Sequence, residues 1–83
     1  MNLENLPVLV TGGGSGMGAV TAQMLSGRGA RVAVLDRDID AARKTAQQID
    51  GMAIEADVSS AQSVEAALHQ IVDEWGAPRI AVS

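Results

Sequence analysis

Glycine residues crowd a short segment near the beginning of the chain, where residues 11–18 have the sequence TGGGSGMG. Glycine allows positive φ angles and lets backbone N–H groups come close to a ligand, and N–H groups at the start of a helix attract phosphate. Such a segment can therefore bind the phosphates of a nucleotide. By itself it is weakly diagnostic, because the same composition is typical of an ordinary tight turn.

Two aspartates further along the chain could bind the nucleoside part of the same ligand. Asp36 follows Gly18 by 18 residues, close to the offset of about 20 residues at which a carboxylate accepts both ribose hydroxyls of NAD. Asp57 and Val58 could offer a carboxylate and a backbone N–H to the edge of an adenine. Each aspartate also has an ordinary interpretation. Asp36 could be a turn residue or a helix cap, and Asp57 could belong to a loop that leads into a capped helix.

Four short apolar runs position these residues, and they alternate with three segments of helical periodicity. This alternation is typical of βαβ units with a parallel sheet. The predicted strands are residues 7–11, 31–35, 52–56 and 79–83. The glycine-rich segment, Asp36 and Asp57 each follow a strand, so all three belong at the carboxyl edge of the sheet, where such folds bind ligands. We therefore predict an α/β fold, a Rossmann-type doubly wound parallel sheet with element order β-α-β-α-β-α-β and, with right-handed crossovers, strand order 3-2-1-4.

The ends of the three helices have recognisable signals. The first helix is expected to stop at Gly29, and the second to begin with Asp38 as its N-cap and to end at Gly51. For the third helix, Ser59 and Gln62 have the spacing of a capping box. With a single aromatic residue in the chain, the core is expected to be aliphatic, with the methionines filling space.

Composition argues against several kinds of protein. The chain has no cysteine and one histidine, which disfavours a disulfide framework, a thiolate nucleophile and a structural zinc site, so we predict no metal site. Its net charge of -4 and its lack of a basic run disfavour nucleic-acid binding. No apolar stretch approaches the roughly 20 residues of a membrane span, and no basic segment resembles the start of a secretory signal. We expect a cytoplasmic protein with one domain and no linker.

The glycine pattern is that of a known family. Thr11, Gly12, Gly16 and Gly18 match the motif Thr-Gly-x-x-x-Gly-x-Gly, and the sequence resembles the short-chain dehydrogenase/reductase family over essentially all of its 83 residues. Extended members of that superfamily would require glycine where this chain has Ser15. The resemblance implies NAD binding, in an intact protein that transfers a hydride between NAD(H) and an alcohol or carbonyl substrate.

The resemblance also implies where each part of the cofactor would lie. The cofactor-binding residues that it implies are Gly12, Ser15, Gly16, Met17, Gly18, Asp36, Arg37, Asp57 and Val58. The loop residues would follow the pyrophosphate, the pair at the end of the second strand would flank the adenosine ribose, and the pair after the third strand would hold adenine. A carboxylate at Asp36 favours NAD over NADP because it would repel a 2′-phosphate, although Arg37 could pair with that phosphate.

The residues that would perform the hydride transfer are absent from the chain. Members of the family typically continue after the fourth strand with Asn-Ala-Gly, a catalytic Ser and Tyr-x-x-x-Lys, and this chain has no tyrosine. We therefore expect residues 1–83 to be the N-terminal part of a single dinucleotide-binding domain, truncated or split before its catalytic portion, with no catalytic residue of its own. The resemblance implies that the intact protein is a homo-oligomer, either a tetramer or a dimer. Because the fourth strand would otherwise be an uncovered apolar edge, we also expect the missing C-terminal portion to pack along it.

Two other functions are compatible with the sequence. A dinucleotide-binding module with a sensing or structural role would need the same loop and no chemistry downstream. An S-adenosylmethionine methyltransferase also places a glycine-rich loop and an acidic residue after its first two strands, although the spacing of the motif and the pair Asp57-Val58 favour the dehydrogenase. A phosphate-loop NTPase is disfavoured because no Gly-Lys-Ser/Thr closes the loop.

Overall fold

The computed structural model describes residues 3–14 and 16–82, and for residues 81 and 82 it describes the backbone only. The elements in chain order are β1 Pro7–Thr11, α1 Gly16–Gly27, β2 Arg31–Asp36, α2 Ile39–Ile49, β3 Met52–Glu55, α3 Ala61–Trp75 and β4 Arg79–Val82. This order confirms the predicted alternation of strands and helices. Within the described ranges, no helix has the length and apolar character needed to cross a membrane.

The four strands form one parallel sheet in the order β3-β2-β1-β4, as predicted. The chain moves in one direction from β1 through β2 to β3, and then crosses back to place β4 on the other side of β1. This reversal puts α1 and α2 on one face of the sheet and α3 on the other. In doubly wound folds, the crevice outside the carboxyl ends of the strands at such a reversal binds ligands.

Neighbouring positions of β1 contribute to a separate core on each face of the sheet. Val8 and Val10 pack with Ala22 of α1, whereas Leu9 packs with Ile71 of α3. All three β1 side chains are at most 5% exposed. Burial on both faces explains why β1 is a continuous apolar run instead of an alternating one.

The two ends of α2 are both capped by aspartate. Asp38 is the N-cap, as predicted, and its carboxylate accepts hydrogen bonds from the N–H groups of Asp40 and Ala41 at 3.1 and 3.2 Å. At the other end, Asp50 adopts the left-handed conformation, with φ 54° and ψ 42°. The last helical residue is therefore Ile49, and the C-cap is Asp50, one residue before the predicted stop at Gly51.

The start of α3 differs from the sequence prediction. Ser60 is the N-cap, and its hydroxyl accepts a hydrogen bond from the N–H of Ser63 at 3.3 Å. The predicted capping box of Ser59 and Gln62 is wrong, because both the N–H and the hydroxyl of Ser59 donate to the carboxylate of Asp57. Since an ionised carboxylate is a stronger acceptor than a neutral group, Asp57 fixes this turn and the helix begins after it.

One side of α1 carries an exposed apolar flank, so the expectation that the methionines fill the core is wrong for Met17 and Met24, whereas Met52 does pack against the core. Met17, Val20 and Met24, which form this α1 flank, are 75%, 50% and 59% exposed. Their spacing of three and four residues places them on one side of the helix. Gln23, three residues after Val20, bonds Gln48 of α2. The apolar side chains of the α1 flank are therefore open to solvent beside the contact between the two helices.

Candidate functional site

The three candidate features come together at one edge of the sheet. The glycine-rich loop follows β1, Asp36 is the last residue of β2, and Asp57 follows β3 by two residues. Because these strands are parallel and adjacent, their carboxyl ends lie side by side. The structure therefore brings together the sequence-predicted residues that it describes, whereas Ser15 lies outside the described residues and its role stays a prediction.

The glycine-rich loop turns sharply at the end of β1 and is anchored to β2. The N–H groups of Gly12 and Gly13 both donate to the carbonyl of Leu35, at 2.8 and 3.3 Å. Gly12 and Gly16 have positive φ angles of 64° and 58°. At Gly16, the first residue of α1, no atom lies within 4 Å of the place where a Cβ would stand. The N-terminal end of α1 is therefore open beside Gly16, and the N–H groups at the start of a helix suit a phosphate.

Gly18 has a different reason to be glycine. It is buried, and a Cβ at this position would overlap the backbone carbonyl of Gly12 and stand 2.8 Å from the Cα of Gly13. The first turn of α1 thus lies directly on the loop that precedes it. Met17, between these two glycines, projects into solvent at the same end of the helix.

Asp36 connects the glycine-rich loop to the turn between β2 and α2. Its Oδ2 accepts a hydrogen bond from the N–H of Gly14 at 2.9 Å, and its Oδ1 accepts one from the N–H of Asp38 at 3.0 Å. A carboxylate has about four acceptor positions on its two oxygens, so these bonds leave one on each oxygen. The half-buried carboxylate can therefore accept two hydroxyl groups without releasing the loop.

Beside Asp36, an open cavity of about 460 Å³ lies outside the carboxyl end of β3. Its lining residues are Arg37, Glu55, Ala56, Asp57 and Ser63. The volume falls within the range of about 300 to 1,000 Å³ that is usual for small-molecule sites. Val58, which is 56% exposed, follows Asp57 at the rim.

Asp57 is held ionised within this cavity. The hydroxyl of Ser59 donates to Asp57 Oδ1 at 2.6 Å and the N–H of Ser59 donates to the same oxygen at 2.9 Å. These two bonds lower the pKa of Asp57, and the positive charge of Arg37 lowers it further. The N–H of Asp57 donates to Ser63 Oγ at 2.9 Å, which holds the loop on the first turn of α3.

Thr45 is a contributor that the sequence analysis missed. It lies on α2, is 3% exposed, and its hydroxyl donates to the carbonyl of Gly14 at 3.3 Å. The available signal was a polar residue within the inward stripe of α2, next to the buried Ala42 and Ala46. Within residues 3–14 and 16–82, no group of three or more His, Cys, Asp or Glu side chains could hold a metal ion.

Comparison with known families and proteins points to one family. A family model described as short chain dehydrogenase matches residues 7–82 of the chain. The sorbitol dehydrogenase of Cereibacter sphaeroides is 35% identical over 85 residues, which cover 100% of this chain and 33% of that protein. The short-chain dehydrogenase/reductase homolog YusS of Bacillus subtilis is 38% identical over 89 residues, which cover 100% of this chain and 82% of that protein.

A solved structure agrees with these sequence relatives. The crystal structure of 3-ketoacyl-(acyl-carrier-protein) reductase from Brucella melitensis, complexed with NADH, has a TM-score of 0.86 and 35% sequence identity. The similarity covers 90% of this chain and 32% of the reductase. The chain thus spans about a third of the length of most of the curated relatives it matches.

Proposed function

The chain belongs to the short-chain dehydrogenase family, and from this we propose that it binds NAD(H) at the carboxyl edge of its sheet. The intact protein would transfer a hydride between NAD(H) and an alcohol or carbonyl substrate. The observation that carries the proposal is the position of Asp36, whose carboxylate bonds the glycine-rich loop and keeps an acceptor position on each oxygen. NADH in the similar Brucella reductase supports a nicotinamide cofactor for this family.

Each part of the dinucleotide has a matching set of groups. The N-terminal end of α1, which is open beside Gly16 and has Met17 after it and Ser15 before it, would bind the pyrophosphate. Asp36 would accept the two hydroxyls of the adenosine ribose. The cavity beside Asp36, which is lined by Arg37 and Asp57, would hold adenine, and Val58 would lie at its rim.

The charge distribution favours NAD over NADP. A 2′-phosphate beside Asp36 would place like charges together, and two unit charges about 4 Å apart repel by roughly 1 to 4 kcal/mol between bulk water and a protein surface. Arg37 could offset part of this repulsion by pairing with the phosphate. The proposed preference therefore depends on the Asp36 carboxylate, which lies at the end of β2 and bonds the glycine-rich loop.

The chemistry itself would come from outside this chain. We propose that residues 1–83 form the N-terminal part of one dinucleotide-binding domain and that a further portion supplies the proton-transferring Tyr and Lys of the family. The support is that the chain has no tyrosine and spans about a third of most relatives. The homo-oligomeric state and the cytoplasmic location stay predictions.

A second candidate is a dinucleotide-binding module without chemistry, and one observation favours it. The Bacillus homolog matches over 82% of its own length, so a relative not much longer than this chain exists. Both candidates predict NADH binding, and they differ in whether the intact protein oxidises alcohols with NAD. Membership of the dehydrogenase family removes the support for a methyltransferase.

Calorimetric titration with NAD and NADP tests the cofactor proposal. The protein should bind NAD at least about tenfold more tightly than NADP, a difference of about 1.4 kcal/mol. Asp36→Ala should weaken NAD binding and remove the preference. Asp40→Ala is the matched control, because Asp40 is an exposed aspartate near the same turn that does not bond the loop, and it should leave both affinities unchanged. Tighter binding of NADP, or an unchanged preference in Asp36→Ala, would refute the assignment.

A further inference from the structure

The two polar groups of Gly14 are both bound to the segment formed by the end of β2 and α2. Its N–H donates to Asp36 Oδ2 at 2.9 Å, and its carbonyl accepts the Thr45 hydroxyl at 3.3 Å. These two groups stand on either side of the φ and ψ torsions of Gly14. Fixing both groups therefore fixes both torsions of a residue that has no side chain to restrict them.

Gly14 also lies in direct contact with the first turn of α2. A Cβ at Gly14 would stand 2.6 Å from Asp36 Oδ2 and 2.8 Å from the Cβ of Ala41. The beginning of α2 is thus the surface on which the glycine-rich loop rests. No side chain larger than hydrogen fits between them without movement of backbone or β-carbon.

Thr45 stands out within this contact. Among the residues that the structure describes, it is the one buried side chain that is polar, and it lies between the apolar Ala42 and Ala46 on the inward side of α2. A buried hydroxyl needs a partner, and the Gly14 carbonyl is the partner that the structure gives it. Valine has nearly the same shape and would fill the same space, so packing alone does not require threonine here.

We propose that Thr45 is a positioning residue for the cofactor, which holds Gly14 so that its N–H stays directed at Asp36 and the carboxylate stays oriented toward the ribose. This inference rests on the proposed binding of NAD. Without the hydroxyl, the Gly14 carbonyl loses its bond and the glycine regains its torsional freedom. Asp36 then loses a fixed donor on Oδ2, and its carboxylate can rotate away from the orientation that accepts two hydroxyls.

The test uses Thr45→Val, which removes the hydroxyl and keeps the shape, and Thr45→Ser, which keeps the hydroxyl. Thr21→Val is the matched control, because the Thr21 hydroxyl donates to the carbonyl of Met17 within its own helix. Hydrogen exchange of the Gly14 amide, measured by NMR without cofactor, reports on the loop. Titration with NAD and NADP reports on the ribose site.

Thr45→Val should speed exchange at Gly14 about tenfold while the amides of β2 keep their rates, since loss of the bond opens the loop and not the core. NAD affinity should fall about fivefold, the effect of one hydrogen bond of ordinary strength, and the preference over NADP should narrow. Thr45→Ser should restore exchange and preference, and Thr21→Val should change neither.

Three results would overturn the role of Thr45. The first is that Thr45→Val leaves both the exchange rate of the Gly14 amide and the preference for NAD unchanged. The second is that Thr21→Val changes them as much as Thr45→Val does. The third is that Thr45→Val speeds exchange uniformly throughout the sheet, which would indicate a loss of stability alone. If the wild-type protein bound neither dinucleotide, the proposed function would fail. Exchange at Gly14 would still decide whether Thr45 positions the loop.

Discussion

Residues of the same type at the carboxyl edge of the sheet have different physical roles. Gly16 is needed for its positive φ at a point of open space, whereas Gly18 is needed because a Cβ would overlap the backbone of Gly12. Asp36 and Asp57 are both carboxylates after a strand, yet the first bonds the glycine-rich loop and the second bonds its own turn. Substitutions at these positions should therefore have different consequences.

Replacing Gly18 should damage the loop, whereas replacing Gly27 should not. Gly18→Ala forces α1 away from Gly12, and we expect the affinity for NADH to fall at least about tenfold. Gly27→Ala is the matched control, because Gly27 is helical and no atom lies within 4 Å of its Cβ position. Gly29 is a poor control, since it has a φ of 96°. Calorimetry on both variants is the measurement, and equal losses would mean that the contact at Gly18 is not specific to binding.

The carboxyl of Asp57 should titrate below the usual aspartate range. Since its pKa is lowered in the folded protein, Asp57 stabilises the fold at pH values above its ordinary pKa, and this contribution is lost as pH falls through the lowered value. Carbon NMR of the carboxyl group measures the titration directly. Ser59→Ala removes the hydroxyl donor and should raise the pKa toward its ordinary value. A pKa at or above the ordinary value in the wild-type protein would contradict the observed bonds.

At the scale of elements, the ends of the helices decide how loops are presented. Asp38, the N-cap of α2, lies two residues after Asp36, and Ser60, the N-cap of α3, lies three residues after Asp57. In each case the aspartate at the sheet edge and the cap that follows it share one short turn. The N-terminal ends of α2 and α3 therefore hold the aspartates of the candidate site in place.

Charge at the two ends of α2 should affect stability in opposite directions. Asp50→Asn removes a negative charge from the negative end of the helix dipole, and asparagine tolerates the left-handed conformation, so the free energy of unfolding should rise by about 0.3 to 1 kcal/mol. Asp40→Asn, in the first turn, should lower it by a similar amount; its exposed pairing with Arg43 at 4.0 Å adds little. Urea unfolding of both variants measures this. Changes of the same sign would show that the dipole is not the cause.

At the scale of the whole molecule, one edge of the sheet is formed by β4, and apolar side chains are exposed on each face of the molecule. Within the described residues, β4 pairs with β1 on one side only. Ile80 of β4 is 59% exposed, Val72 of α3 is 48% exposed, and the α1 flank is exposed on the opposite face. Parallel sheets are normally covered on both faces, and an open apolar edge recruits other chains. We therefore predict that further protein covers this edge in the intact molecule.

The 83-residue chain on its own should associate with itself through the same edge. Analytical ultracentrifugation should show species larger than a monomer that depend on concentration, and Ile80→Lys should shift them toward monomer because a charge opposes burial of the edge. Gln47→Lys adds the same charge on the exposed side of α2 and serves as the control. A wild-type chain that stays monomeric at every concentration would contradict the prediction.

The sequence by itself determined the features that depend on neighbours along the chain. The alternation of apolar runs and helical periodicity predicted all seven elements, since a buried parallel sheet requires continuous apolar strands. Right-handed crossovers in a Rossmann-type sheet then predicted the strand order. The spacing of Gly12, Gly16 and Gly18 identified the loop and the family. Asp36 and Asp57 each follow a predicted strand, and this placed both at the carboxyl edge of the sheet, because parallel strands bring their carboxyl ends to one edge.

Only the tertiary structure decided the features that depend on contacts between distant residues. The bond from Thr45 to Gly14 joins residues 31 positions apart, and no local pattern encodes it. The N-cap is Ser60 and not Ser59, because the N–H and hydroxyl of Ser59 bond Asp57. Two adjacent serines look equally suitable as the N-cap in the sequence alone. Met17 faces solvent because α1 packs with a different side on the sheet. Helical periodicity shows which residues share a side, but packing decides which side is buried.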